Sequence, residues 1–178
     1  MGDNARKGYT YTYFSGSLQD AQGTVTPRPF LAALAAALTS TGRNHPEHDR
    51  PLHYDDLRHG VRCGARAEEL HQALPWARLT LEPLAGQRVP ISEEEVFGLW
   101  ESAELEHQLK EPVARAAVDG LVRTGPRSPA SYPLLLEELV GAGVLSRRTS
   151  GQVDMPDVYR IPYGLGRRGG VRRTRPAA

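Results

Sequence analysis

The sequence ELVGAGVLSRR, residues 138–148, decides the fold that we predict for this chain. It continues an apolar face over 132–140 that is typical of a buried helix, and two glycines then end that helix. Residues 144–148 and 157–161 have the composition of two short strands around a turn. A helix that passes directly into a β-hairpin is therefore the first prediction.

Two further helices are predicted upstream of that hairpin. Ser92 and Glu95 have the spacing of a capping box, in which the serine side chain accepts from the Glu95 amide and the glutamate reaches back. A second apolar pattern covers 104–122, with an interruption near Pro112. Three helices followed by a hairpin are the order of elements in a winged helix. We therefore predict a mainly α (α+β) chain with a winged-helix domain over 89–163.

The first half of the chain predicts a separate helical subdomain over 26–88. Thr26 suits the N-cap and Pro27 the first helical position, and apolar residues at helical spacing follow to about residue 39. The following stretches are assigned by composition: a solvated loop over 40–52, a weaker helix from about 53 to 74, and a connection over 75–90.

Two flanking segments complete the predicted organisation. Residues 9–14 alternate aromatic and β-branched side chains, so 1–25 is predicted to be a strand and a loop. Residues 164–178 are rich in Gly, Arg and Pro, a composition that predicts a mobile basic tail.

Composition excludes several classes of protein. The chain has 178 residues, 39% of them hydrophobic, and a mean hydropathy of −0.47, which suits a packed globular protein. Its single cysteine, Cys63, excludes an intramolecular disulfide. No apolar run reaches about 18 residues and the N-terminus has no apolar leader, so we expect a cytoplasmic protein that does not enter a membrane.

Charge is distributed unevenly along the chain. Residues 1–143 contain 14 basic and 19 acidic side chains, whereas residues 144–178 contain eight arginines and two aspartates. A basic segment of this kind indicates a polyanionic partner or, alternatively, a tail that folds back on an acidic body. The candidate phosphate-binding residues are Arg147, Arg148, Arg167, Arg168, Arg172 and Arg173.

The sequence contains no complete catalytic motif. Residues 164–170 are glycine-rich and basic but lack the lysine and the Ser/Thr of a P-loop. His45, His48 and His53 lie in a proline-containing stretch without the spacing of a strong zinc motif, so we interpret them as part of a solvated loop. Ser15 and Ser17 do not form a nucleophile elbow. We therefore assign no catalytic residue and no metal ligand.

Two stretches resemble a known family. Thr26-Pro27-Arg28-x-Phe30-Leu31 resembles the Ser/Thr-Pro-Arg-x-aromatic-Leu start of the lid helix in bacterial P-loop ATPases of the AAA+/STAND kind. Residues 153–170 are similar to the end of such ATPases. The resemblance implies that 26–88 is a lid, that 89–163 is the winged helix, and that Arg28 senses the γ-phosphate of a bound nucleotide.

The chain departs from that family in one respect. It has neither a Walker A loop nor a strand ending in the acidic pair that holds magnesium. The resemblance then implies a non-catalytic regulatory module that meets ATP and Mg²⁺ only together with a partner ATPase core. Two alternatives stay open: a winged helix that binds double-stranded DNA through the basic wing and tail, and an Arg28 that pairs with a neighbouring carboxylate.

Overall fold

The computed structural model describes residues 10–63, 65–110 and 125–169. Helices dominate these ranges, and the strands form two short pairs, so the prediction of a mainly helical chain is confirmed. No helix in these ranges combines the length and the apolar character needed to cross a membrane. The helices are α1 (Thr10–Leu18), α2 (Pro27–Asn44), α3 (Tyr54–Arg62), α4 (Ala65–Ala73), α5 (Pro75–Leu81), α6 (Glu93–Ser102), α7 (105–110), α8 (Tyr132–Gly141) and α9 (Asp157–Arg160); the strands are β1 (Arg88–Val89), β2 (Ser146–Arg147), β3 (Val153–Asp154) and β4 (Gly166–Arg167).

Gly60 allows α2 and α3 to pack closely together. A Cβ built on Gly60 would lie 2.3 Å from the carbonyl oxygen of Ala33 and 3.0 Å from the Cβ of Ala37. Both alanines are buried, as are Leu57 and Val61 on the facing side of α3. The small residues on α2 therefore bring the two helix backbones into direct contact.

The strand predicted over 9–14 is wrong, because the chain forms α1 there. Phe14 and Leu18, one helical turn apart, are both buried. The Phe14 ring packs edge-on against Phe30 of α2, with ring centroids 5.3 Å apart. Packing against α2 has outweighed the β propensity of the local sequence.

The predicted loop over 40–52 begins later than expected. α2 continues to Asn44, and Ser40 and Thr41 are buried on its last turns. His45 then caps the helix, and His53 caps the start of α3. The polar side chains near residue 40 are therefore inside the fold, where they make the contacts of the site described below.

The single helix predicted from about 53 to 74 is divided into α3 and α4. Cys63, predicted to lie inside a helix, is the exposed C-cap of α3. The connection predicted over 75–90 is itself partly helical, since α5 begins at Pro75 and a 3₁₀ turn follows at Glu82–Leu84.

The predicted capping box is confirmed at the start of α6. Ser92 Oγ accepts a hydrogen bond from the Glu95 amide, and Glu95 Oε2 accepts one from the Ser92 amide, both at 3.2 Å. The helix predicted over 132–140 is also confirmed as α8. In both helices the residues that start or end the helix lie within a few positions of its terminus: the Ser92 capping box for α6 and the glycines at 141 and 143 for α8.

Trp100 of α6 lies at the centre of the second half of the core. Its side chain is fully buried, and its Nε1 donates to the backbone carbonyl of Thr80 at 2.7 Å. Leu105 and Leu109 are buried on α7, which agrees with the start of the helix predicted over 104–122. The rest of that prediction lies outside the described residues.

The predicted hairpin forms directly after α8, but its second strand is shifted. β2 and β3 pair antiparallel, with Ser146 opposite Asp154, and Ile91 forms an antiparallel bridge to Val153. The strand predicted over 157–161 is wrong, since Pro156 precedes the short helix α9, in which Asp157 pairs with Arg160.

The start of the predicted basic tail is an ordered strand. β4 pairs in parallel with β1, so that Arg88 lies opposite Gly166 and Val89 opposite Arg167. The Gly166 amide donates to the Gln87 carbonyl at 2.7 Å. Residues 166–168 therefore belong to the fold, and a mobile tail over the whole of 164–178 is wrong.

Candidate functional site

Arg28 lies in the first turn of α2 and is exposed to solvent. Among the residues that the structure describes, none forms a hydrogen bond or an ion pair with its guanidinium. The alternative of a neighbouring carboxylate partner therefore finds no support in the described ranges. Thr26, in extended conformation with φ −88° and ψ 139°, is the N-cap, but its side chain makes no capping hydrogen bond.

The hydroxyl of Thr26 is instead part of a half-buried group of polar side chains. Arg66 Nη1 donates to Thr26 Oγ1 at 3.0 Å and to Glu69 Oε2 at 2.6 Å, and Arg66 Nη2 lies 3.2 Å from Asp20 Oδ2. Thr26 Oγ1 in turn donates to Glu69 Oε2 at 3.2 Å. Burial alone would lower the pKa of Arg66, but Glu69 and Tyr159 outweigh it and raise the pKa. This group fixes the position from which α2 and Arg28 start.

The arginines of the β2–β3 hairpin, Arg147 and Arg148, are paired within the chain. Arg147 Nε lies 2.6 Å from Glu93 Oε1, and its Nη1 contacts Glu137. These two glutamates raise the pKa of Arg147. Arg148 Nη2 lies 2.5 Å from Asp154 Oδ2. Both predicted phosphate-binding residues on β2 and its turn are thus neutralised by acidic neighbours.

The same holds for the arginines of β4 and the residue after it. Arg167 lies 3.3 Å from Asp154 Oδ2 and 3.0 Å from Asp157 Oδ1, and Arg168 lies 3.4 Å from Glu95 Oε2. Arg168 contacts Glu95 in the acidic first part of the chain, as expected for a segment that folds back, whereas the partners of Arg167 are aspartates of the basic segment itself. The remaining predicted arginines lie outside the described residues: Arg172 and Arg173.

A buried carboxylate, Asp56, lies in the first turn of α3 and faces the end of α2. Its Oδ1 accepts from Ser40 Oγ at 2.5 Å and from Asn44 Nδ2 at 3.2 Å, and its Oδ2 accepts from Thr41 Oγ1 at 3.2 Å. His45 Nδ1 lies 2.8 Å from the same Oδ2. Burial alone would raise the pKa of Asp56, but these four hydrogen bonds outweigh it and lower the pKa to about 2. Asp56 is therefore a carboxylate anion at neutral pH.

Two imidazoles cover the open side of Asp56. The rings of His45 and His53 are stacked, with centroids 3.6 Å apart and an interplanar angle of 21°. His53 Nδ1 lies 3.8 Å from Asp56 Oδ2. We call His45, His53 and Asp56 the His/Asp cluster; a donor atom from each lies within 4.8 Å of the other two. Sequence reasoning missed it by treating the histidines as solvated, although an aspartate three residues after His53 was a usable signal.

A polar cleft of about 560 Å³ opens between α1, α3 and α9. Tyr13 and Tyr54 form one side, with ring centroids 5.9 Å apart, and burial raises the pKa of Tyr13. Arg58 and Arg62, one turn apart on α3, also line it and are exposed. The cleft is positively charged on its α3 side, a feature that the sequence did not indicate.

No known protein family, curated protein or solved structure matches this chain. The resemblance to P-loop ATPases therefore stays a prediction that rests on the two stretches quoted for it. Function is inferred from the geometry of the described residues.

Proposed function

We propose that this chain is a non-catalytic lid-and-winged-helix module that works with a P-loop ATPase core located outside these residues. In this proposal 26–88 is the lid, 89–163 is the winged helix, and Arg28 contacts the nucleotide held by the core. ATP and Mg²⁺ are bound by the core, because this sequence has no Walker A loop and no acidic magnesium-binding strand.

The proposal rests mainly on the exposed and unpaired guanidinium of Arg28 within the described residues. The side chain is exposed at the start of an 18-residue helix and has no acidic partner among the described residues. The helix start is held in place by the Arg66 group, through Thr26. A guanidinium presented in this way by a fixed helix has the planar donors that suit a phosphate on another surface.

The C-terminal half supports the winged-helix part of the proposal. The hairpin β2–β3 follows α8 directly, and Ile91 adds a third strand position beside Val153. Strand, helices and hairpin in this order are those expected of a winged helix. The bridge at Ile91 ties the segment before α6 to the wing.

The pairing of the wing arginines favours a protein partner over DNA. Contact with phosphates requires free cations, and each DNA phosphate contacted by Arg or Lys adds to the salt dependence of binding. Arg147 and Arg148 are engaged by Glu93, Glu137 and Asp154. The helix before the wing, α8, carries Glu137 and Glu138 and no basic residue, so its surface would be repelled by a phosphate backbone.

Reconstitution with the ATPase core tests the proposal. The first step is to look in the genes next to that of this chain for a P-loop core that lacks a lid; ATP hydrolysis by that core is then measured as kcat and KM, and the absence of such a gene would count against the proposal. We expect no hydrolysis by the chain alone and stimulation of the core on mixing. Arg28→Ala should reduce the stimulated kcat at least about tenfold, because arginines that stabilise transferring phosphates contribute large rate factors.

Arg43→Ala is the matched control, since Arg43 lies in the last turn of the same helix and should leave the stimulation unchanged. Equal rates for Arg28→Ala and the unaltered chain would contradict the proposal. Anisotropy titration with a fluorescent duplex DNA at low salt tests the alternative: strong binding that weakens steeply with added salt would replace the proposal with DNA binding.

A further inference from the structure

We propose that the His/Asp cluster is a binding site for one divalent transition-metal ion of the zinc type, ligated by His45 Nδ1, His53 Nδ1 and Asp56 Oδ2. The site is independent of the proposed ATPase role, because it lies where α2 ends and α3 begins, and Arg28 lies at the opposite end of α2.

The three donor atoms lie within 4.8 Å of one another, close enough to be brought onto one tetrahedral ion. Zinc ligands at ordinary bond lengths are about 3.3 Å from one another in tetrahedral geometry. Asp56 Oδ2 lies 2.8 Å from His45 Nδ1 and 3.8 Å from His53 Nδ1, values that lie on either side of that spacing. The two imidazoles are stacked, so binding an ion would require their ring planes to turn away from each other until both Nδ1 lone pairs point at it.

The carboxylate is already oriented as a metal ligand. Oδ1 of Asp56 is fixed by Ser40 and Asn44, so the second oxygen, Oδ2, is turned toward the histidines. Outer hydrogen bonds of this kind orient ligating carboxylates and strengthen metal binding. The only other side-chain donor to Oδ2 besides His45, within the described residues, is Thr41 at 3.2 Å.

The histidine nitrogens are accessible and chemically suited. His53 Nδ1 accepts from the Asp55 amide at a long 3.4 Å, so this nitrogen is unprotonated, and binding an ion would require its lone pair to turn away from that amide. When His45 ligates through Nδ1, the proton it shares with Asp56 leaves that nitrogen and Nε2 carries the ring proton. The side chains of His45 and His53 are 35% and 25% exposed, which leaves a path for an ion and for a water as fourth ligand.

The ligand types select the class of metal. Two imidazoles and one carboxylate suit zinc, cobalt or nickel, whereas calcium and magnesium need more oxygen ligands. Structural zinc sites use four protein ligands. This site would have three and an open fourth position, which is the arrangement of sites that also bind a water or another small ligand.

Metal titration of the untagged full chain tests the site. After treatment with EDTA, Zn²⁺ is titrated by calorimetry and Co²⁺ by visible absorption. We expect one ion per chain and the intense absorption of four-coordinate cobalt. His53→Ala should weaken Zn²⁺ binding about 100-fold or more, since loss of an outer partner alone costs 10–100-fold.

His59→Ala is the matched control, because His59 is an exposed histidine in the last turn of α3 outside the cluster. Its affinity for Zn²⁺ should equal that of the unaltered chain. Ser40→Ala, which removes one donor to Asp56, should weaken binding about tenfold while the circular dichroism spectrum stays the same.

Two results would overturn the site: no micromolar Zn²⁺ binding by the folded chain, or equal affinity in His53→Ala and the unaltered chain. If the variants do not fold, X-ray absorption of the zinc-loaded unaltered chain decides. Two imidazole ligands and two oxygens support the site, and any other first coordination sphere contradicts it.

Discussion

Arg66 of α4 and Asp20 form an ion pair between residues 46 positions apart, with Nη2 and Oδ2 separated by 3.2 Å. Both side chains are largely buried, and Asp20 Oδ1 also accepts from the amides of Gln22 and Thr24. The loop after α1 is thereby attached to the helical subdomain through one guanidinium.

Arg66→Met should lower the free energy of unfolding by about 1–3 kcal/mol, because the buried Asp20 carboxylate and Glu69 lose a charged hydrogen-bond donor. Urea unfolding followed by circular dichroism measures the change. Arg78→Met is the control, since Arg78 forms an exposed pair with Glu82 on α5 and the following turn; it should unfold at the same urea concentration as the unaltered chain. A similar loss in both variants would show that burial of the Arg66 pair has no special importance.

Gly60→Ala should destabilise the chain by about 1–3 kcal/mol, because the new methyl group would collide with the backbone of α2. The contact is with the Ala33 carbonyl oxygen, which cannot move without displacing the helix. Gly98→Ala on α6 is the control: nothing lies within 4 Å of its added Cβ, and alanine should stabilise that helix by up to about 1 kcal/mol. Thermal unfolding distinguishes the two variants: the melting temperature should fall for Gly60→Ala and rise for Gly98→Ala.

Trp100→Phe should cost about 1–3 kcal/mol of unfolding free energy, because the buried Thr80 carbonyl loses its indole donor and the smaller ring leaves space. Trp76→Phe makes the same change in ring size at a residue whose indole nitrogen has no hydrogen-bond partner among the described residues. The loss should be smaller there. Equal losses would mean that the hydrogen bond to Thr80 contributes nothing.

Asp157→Asn should reveal a pH-dependent contribution. Burial alone would raise the pKa of Asp157, but Arg160 and Arg167 outweigh it and lower the pKa. The unfolded carboxyl then binds its proton at a higher pH than the folded one, so the stabilisation is complete above about pH 4 and is lost as the pH falls below that value. The difference in unfolding free energy between the unaltered chain and Asp157→Asn should be constant above about pH 4 and shrink as the pH falls below it. A difference that grows on acidification would contradict the lowered pKa.

The sequence predicted those elements whose signals lie within a few residues. The Ser92 capping box and the glycines after α8 act locally, so their helices were placed correctly. The run over 9–14 was assigned by β propensity, but its conformation depends on burial of Phe14 against Phe30, a contact that propensity does not contain. The pairing of β4 with β1 joins residues too distant in sequence for any local pattern to indicate it.

The candidate sites could be predicted only in part. Arg28 was identified from a short motif, and its contact with a nucleotide stays a proposal; the structure places it, exposed, in the first turn of α2. The His/Asp cluster depends on α2 continuing to Asn44, because only then do Ser40 and Thr41 reach Asp56. Arg147 and Arg148 of the β2–β3 hairpin were identified by charge alone, and the acidic partners that pair with them come from α6, α8 and β3.

The parallel pair of β1 and β4 has a mechanical consequence. The backbone amide of Arg168 donates to the Val89 carbonyl at 2.9 Å. This hydrogen bond lies at residues 88 and 89, the boundary predicted between the two halves of the chain. Residues at this predicted boundary are therefore joined by backbone hydrogen bonds to the C-terminal strand β4. Separating residues 87–89 from residues 166–168 would break both backbone hydrogen bonds, from the Gly166 amide to Gln87 and from the Arg168 amide to Val89.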